Sequence, residues 1–66
     1  MDSEQYRILT ESLRLCKKLQ DEMERDKDRI HECFNGDLRR AYLEANGLAE
    51  NEVVKIRNQL QAMMQQ

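Results

Sequence analysis

The fold is decided by residues 6–34, which read YRILTESLRLCKKLQDEMERDKDRIHECF. Side chains of the core type recur there at alternating intervals of three and four, a heptad pattern that is typical of coiled-coil helices. One heptad position holds Tyr6, Leu13, Gln20, Lys27 and Phe34, and the other holds Leu9, Cys16, Met23 and Ile30. The stretch contains no glycine or proline. We therefore predict one long helix over about residues 3–34, with Asp2 or Ser3 as its N-cap.

The two heptad positions together form a stripe along the predicted helix, and two features of this stripe bear on its partners. Gln20 and Lys27 are polar, although they occupy heptad core positions. Either they specify register and oligomeric state, or the stripe drifts off the contact at that point, because 3.6 residues per turn do not match a heptad. Ile8, Leu15 and Leu19 widen the apolar stripe in the first half of the helix. That width predicts two neighbouring helices rather than one.

Downstream of the long helix, glycines mark two predicted breaks. Asn35-Gly36-Asp37 predicts the end of one helix and the start of the next, with Gly36 in a left-handed conformation and Asp37 as the N-cap of the second helix. A short helix is then expected over about residues 38–45 and ends at Asn46-Gly47. A third helix is expected over about residues 50–64. The predicted seam of that third helix consists of Val53, Ile56, Leu60 and Met63.

These elements predict an all-α fold with one small helical domain over residues 1–66. The short helix and the C-terminal helix fold back along the long N-terminal helix as a helical hairpin, or small coiled-coil-like bundle. A chain of 66 residues buries only about 60% of its unfolded surface, so its core is marginal by itself. Self-association is a common remedy for such small chains, and dimers are its commonest form. We expect a homodimer or a complex with a helical partner.

The charge composition argues against nucleic acid and membranes as partners. Lys and Arg number 11 against 13 Asp and Glu, which gives a net charge of −2 without a basic cluster. No apolar run reaches the roughly 18 residues that a membrane span requires, and no leader sequence opens the chain. Cys16 and Cys33 lie about 25 Å apart on one predicted helix, too far for a disulfide. We expect a cytoplasmic protein with free thiols, or with an intermolecular pair.

The residues that carry chemistry are not arranged as a site. His31 is the single histidine, and Cys33 follows it by two positions. That spacing turns the two side chains about 200° apart on a helix, so they do not face each other. Metal ligands on one helix need intervals of three or four residues. We predict no catalytic residue, no metal ligand, no cofactor and no enzymatic activity.

Residues 38–53, LRRAYLEANGLAENEV, resemble two families. The segment resembles the opening helices of repressor-type helix-turn-helix domains, which implies DNA reading by a further helix that these 66 residues do not include. It also resembles the middle of the mitochondrial LYR assembly factors. Near the start of the chain, Tyr6-Arg7 corresponds to part of that family's Leu-Tyr-Arg tripeptide, and Gln5 stands in place of its leading Leu. Two unrelated families fit the same residues, so the pattern is generic for a helix, a glycine turn and a helix. Neither family is adopted.

The function predicted from these observations is a non-enzymatic protein-protein interaction module: an adaptor, small chaperone, assembly factor or inhibitor that presents an apolar helical stripe. The alternative is a nucleic-acid-binding, helix-turn-helix-like regulator that uses the helix pair of residues 38–60. In that case the nucleic-acid phosphates would be contacted by Arg39, Arg40, Lys55 and Arg57. The predicted partner or self interface consists of Tyr6, Leu9, Leu13, Cys16, Met23, Ile30, Phe34, Val53, Ile56, Leu60 and Met63.

Overall fold

The computed structural model describes residues 2–65 and places them in two α-helices, α1 (Ser3–Cys33) and α2 (Gly36–Met64). The helices are joined by Phe34 and Asn35 and pack antiparallel along their lengths. The Cα atoms span 51 × 14 × 11 Å. No strand occurs within the described residues. The predicted all-α helical hairpin is therefore confirmed.

Helix α1 begins at a capping box. The Asp2 carboxylate accepts a hydrogen bond from the Gln5 N–H at 2.8 Å, and the Gln5 side chain accepts one from the Asp2 N–H at 3.3 Å. This reciprocal pair satisfies two of the amides that a helix start leaves without partners. Of the two predicted caps, Asp2 is the one used.

The turn between the helices depends on Gly36, whose φ of +59° lies in the left-handed region. Glycine adopts this conformation without steric cost, so the predicted stop and restart is confirmed there. Asn35, rather than Asp37, occupies the N-cap position of α2, and Asp37 lies in the first turn. Arg39 ties the turn together: its guanidinium donates to the carbonyls of Phe34 at 2.7 Å and His31 at 2.9 Å.

The predicted break at Asn46-Gly47 is wrong, because α2 runs through it without interruption. Two separate helices over residues 38–45 and 50–64 are therefore not formed. An isolated glycine costs an α-helix only about 1 kcal/mol, which packing against a second helix can offset. The Asn46 side chain supports the continuous helix by donating to the Met23 carbonyl of α1 at 3.2 Å.

The seam between the helices keeps a strict heptad interval on both of them. On α1 it consists of the half-buried residues Leu9, Leu13, Cys16, Gln20, Met23, Lys27 and Ile30, and it continues to the half-buried Phe34 in the turn. On α2 it consists of Arg39, Leu43, Asn46, Glu50, Val53, Arg57, Leu60 and Met64. Ser12, Gly47 and Val54 are half-buried beside this seam. Among the described residues only Val53, at 8% exposure, is buried. A two-helix layer thus covers the stripe of α1 without enclosing a core.

Three residues of the predicted seams lie outside this contact. Tyr6 is 55% exposed at the start of α1. Ile56 and Met63 of α2 are also exposed, because each stands one position before a seam residue, Arg57 and Met64 respectively. The predicted seam of the C-terminal helix is therefore wrong at these two positions. Polar side chains occupy much of the real seam, so a search for apolar periodicity selects the neighbouring row instead.

Candidate protein-binding side of the hairpin

Polar residues pair across the seam. Arg57 donates to the Gln20 side-chain oxygen at 2.6 Å. Lys27 lies 3.4 Å from Glu50 across the seam and 3.4 Å from Glu24 on its own helix. The Glu24 carboxylate, followed by that of Glu50, raises the pKa of Lys27 above its usual value. Gln20 and Lys27 therefore stay in the contact and meet polar partners, which is the arrangement expected of residues that specify register.

The seam is nevertheless incompletely satisfied. The Asn46 Oδ1, Glu50 Oε2 and Arg57 Nε atoms are buried without a hydrogen-bond partner. Each buried polar atom that lacks a partner costs about 1–3 kcal/mol. All three belong to seam residues of α2, so the contact between the two helices contributes less stability than an apolar seam of the same length.

The two sides of the hairpin differ in character. One side carries a polar groove lined by Thr10, Leu13, Arg14, Lys17, Gln20, Asp21, Arg57 and Gln61. We call the side of the hairpin that carries this groove the polar side. The opposite side carries a groove near the turn, lined by Asp26, Arg29, Ile30, Cys33, Phe34, Tyr42, Ala45 and Asn46. Both helices contribute to each groove, so each side is a surface shared by α1 and α2.

Heptad rows extend the second groove toward the open end of the hairpin. Residues seven apart lie on nearly the same side of a helix, and the seam shows that this interval holds here. Leu19 precedes Asp26 by one heptad, and Ile8 and Leu15 precede Arg29 by three and two heptads. On α2, Ile56 and Met63 follow Tyr42 by two and three heptads. These rows place five large apolar side chains on one side, Ile8, Leu15, Leu19, Ile56 and Met63, which we call the apolar patch.

All members of the apolar patch are solvent-exposed, with exposed fractions from 44% for Leu19 to 51% for Ile8. Their levels along the hairpin follow from the contacts of Gln20 with Arg57 and of Asn46 with Met23. Leu19 stands close to the level of Ile56, and Met63 lies between the levels of Ile8 and Leu15. The patch is therefore compact, and both helices contribute to it.

The rest of this side changes in character toward the turn. Its middle is charged, with Glu22, Asp26 and Arg29 on α1 and Glu52 on α2. Next to the turn, the rings of Phe34 and Tyr42 stack at a centroid distance of 4.5 Å. Cys33 is an exposed free thiol in the same groove. The side therefore has an apolar end, a charged middle and an aromatic end, and we call it the apolar side after the patch that it carries.

The structure divides the predicted interface residues into two groups and the separate residue Tyr6. Eight of them lie in the seam between α1 and α2: Leu9, Leu13, Cys16, Met23, Ile30, Phe34, Val53 and Leu60. Ile56 and Met63 belong to the apolar patch instead. Tyr6 lies apart, in a shallow groove with Ser3, Arg7, Thr10 and Glu11. The seam residues that the prediction missed are chiefly polar residues of α2, whose signal in the sequence is their heptad spacing.

The four basic residues of the nucleic-acid alternative do not form one surface. Arg39 and Arg57 are engaged within the hairpin, on carbonyls of the turn and on Gln20 respectively. Arg40 is exposed and lies 3.7 Å from Asp37. Lys55 is exposed two positions before Arg57. No observation in the structure favours phosphate binding over protein binding.

Across residues 2–65 there is no group of three or more His, Cys, Asp or Glu side chains placed to hold a metal ion. Neither α1 nor α2, over its described length, is long and apolar enough to cross a membrane. Comparison of the chain with protein-family models, curated proteins and solved structures finds no match.

Proposed function

We propose that the protein is a non-enzymatic interaction module whose apolar side binds another protein chain, as an adaptor, small chaperone, assembly factor or inhibitor does. One observation carries the proposal. Within residues 2–65 a single residue, Val53, is buried, whereas nine large apolar side chains are at least 44% exposed. Five of the nine form the apolar patch on one side. Contiguous exposed apolar surface of this kind is typical of protein-protein contact sites.

Binding of a partner would bury apolar surface that the hairpin leaves exposed. Fully burying a Leu or Ile side chain contributes about 1.5–3 kcal/mol. Leu15, Leu19 and Ile56 are each about half exposed, so roughly 1 kcal/mol per side chain is still to be gained on binding. Over the whole patch this gain approaches the 5 kcal/mol at the lower end of whole-domain stabilities. A helical partner is the natural occupant, since helices pack side chains into the groove between two helices.

The cysteines support a proposed location in the cytoplasm. Cys16 is half-buried in the seam and Cys33 is exposed, and both are free thiols. Thiols remain reduced in the cytoplasm, whereas secreted proteins of this size usually carry disulfides.

The test compares protein binding by the immobilised full chain with binding by two variants. Leu15→Glu places a charge in the apolar patch, and Thr10→Glu places the same charge on the polar side. We expect the bound chain, whether another protein or a further copy of this one, to be lost with Leu15→Glu and kept with Thr10→Glu. Circular dichroism of both variants verifies that α1 and α2 remain helical. Equal binding by the two variants would exclude the apolar side as the contact.

A further inference from the structure

The apolar side is arranged so that it can face a copy of itself. Leu19 of α1 and Ile56 of α2 stand at nearly the same level, and Met63 lies between the levels of Ile8 and Leu15. A rotation of 180° about an axis that runs parallel to the hairpin, along the surface of its apolar side, preserves these levels and places α1 of one copy opposite α2 of the other. Apolar residues of one copy then meet apolar residues of the other.

We infer that the apolar side binds a second copy of this chain, with both turns at the same end, to form a four-helix bundle. This inference rests on the proposed function and specifies its partner. In the bundle, α1 of one copy lies antiparallel to α2 of the other, as it already does within each hairpin. Leu19 faces Ile56 of the second copy, and Cys33 faces Tyr42 of the second copy. Every helix then has two antiparallel neighbours, the usual arrangement of such bundles.

The charged middle of the side is compatible with this pairing. Asp26 lies opposite the small Ala49 of the second copy, and Arg29 stands one turn from Asp26, within reach of an ion pair. Glu22 and Glu52 occupy the outer edges of the side, where carboxylates remain in contact with water. The net charge of −2 per chain opposes association only weakly.

The dimensions also suit a second copy. The Cα atoms span 51 Å by 14 Å across the side, a projected area of about 700 Å², which is close to the roughly 800 Å² that each partner buries in a standard interface. A single helix would cover only part of this width. A second hairpin covers all of it and encloses the apolar patches of both copies between two layers.

The other two-fold arrangement, with the turns at opposite ends, pairs α1 with α1. It brings Leu15 close to the level of Glu22 of the second copy, and Ile8 close to that of Arg29. Each contact would set an apolar side chain beside a charged one, and the apolar patches of the two copies would not cover each other. The position of the apolar residues therefore selects the arrangement with both turns at one end.

The first measurement is the mass of the full chain in solution by analytical ultracentrifugation over a hundred-fold range of concentration, with helicity followed in the same samples. We expect the wild type and the polar-side control Lys17→Glu to have the mass of a dimer. Leu19→Glu should weaken the dimer roughly 100-fold or more, because two-fold symmetry places the change in the interface twice. A helical wild-type chain that stays monomeric throughout overturns the inference.

The second measurement leaves the five residues of the apolar patch unchanged, and because Cys33 lies in the proposed interface, ultracentrifugation of the labelled protein verifies that it has the mass of a dimer. In Cys16→Ala, Cys33 is the single thiol and can carry a spin label. With both turns at one end, the labels of the two copies lie roughly 15–25 Å apart, given helix spacings of 8–10 Å. With the turns at opposite ends they lie about 40 Å apart or more, from the helical rise. The shorter distance supports the proposed bundle, and the longer one overturns it.

Failure of the second-copy inference can be distinguished from failure of the proposed function. If the chain is monomeric yet binds a different protein, and Leu15→Glu abolishes that binding, the interaction module stands and the self-complementary bundle is wrong. If the chain is monomeric and Leu15→Glu changes no binding, both are wrong.

Discussion

Among single residues, Arg39 links the two helices at the turn through its side chain. A helix leaves its last carbonyls without intrahelical donors, and the positive guanidinium of Arg39 supplies donors to two of them, Phe34 and His31. The neighbouring Arg40 is exposed and makes only a long ion pair with Asp37 on its own helix. Two adjacent residues of the same type therefore differ in what they contribute, which the sequence alone does not show.

This contrast yields a stability prediction. Arg39→Ala should lower the free energy of unfolding by about 1–2 kcal/mol, because two charge-assisted hydrogen bonds to the end of α1 are lost. Arg40→Ala should change it by less than about 0.5 kcal/mol, as is usual for an exposed pair. Urea unfolding followed by circular dichroism measures both values. Equal losses in the two variants would show that Arg39 does not hold the turn.

The two helices differ in how strongly their own residues specify them. Helix α1 has a capping box, a regular heptad and no glycine, so its start and length follow from local signals. Helix α2 starts at a glycine and carries a second one at Gly47, yet it continues to Met64. Gly36 has a positive φ, whereas Gly47 does not, and a Cβ at Gly47 would meet nothing within 4 Å. The two glycines therefore have opposite roles.

Replacement of each glycine by alanine separates these roles. Gly47→Ala should raise the free energy of unfolding by up to about 1 kcal/mol, because alanine favours the helix and finds free space at this position. Gly36→Ala should lower it by about 1–2 kcal/mol, because alanine is strained in the left-handed region. Thermal or urea unfolding of the two variants provides the comparison. Destabilisation by Gly47→Ala would indicate a bend at Asn46-Gly47 rather than a continuous helix.

Across the whole molecule, a single layer of contact holds two long helices together, and part of that contact is polar. Lys27 and Glu50 lie in the middle of the seam, and the Glu50 side chain is only 14% exposed. One of its oxygens has no hydrogen-bond partner. Such a pair adds little net stability over apolar residues of similar volume, but it penalises shifts in register between the helices.

A double-mutant cycle tests this view of the seam. Lys27→Met should destabilise the hairpin by about 1–2 kcal/mol, because Glu50 then loses its cationic partner. The double variant Lys27→Met with Glu50→Met should be as stable as the wild type or more stable, since no carboxylate remains in the seam. Unfolding free energies of the four proteins give the coupling between the two residues. A double variant less stable than either single variant would show that the pair is a main source of stability.

Much of α1 could be predicted from the sequence, because its signals are local. The heptad from Leu9 to Phe34 and the turn at Gly36 are confirmed. The seam of α2 could not be predicted in the same way. Asn46, Glu50 and Arg57 read as surface residues, whereas in the hairpin they approach Met23, Lys27 and Gln20 of α1. The apolar character of Ile56 and Met63 predicts that they lie in the seam, whereas the hairpin leaves both of them exposed beside it.

Local sequence specifies the helical character of the chain, its turn at Gly36 and the heptad of α1, and it restricts the first cap to Asp2 or Ser3, since each depends on residues close together along the chain. The tertiary structure alone decided that α2 continues through Gly47 and which of its faces meets α1. Both depend on contacts with residues more than twenty positions away, whose packing and hydrogen bonds outweigh a local preference of about 1 kcal/mol. That choice of face is also what leaves the apolar patch exposed on one side of the hairpin.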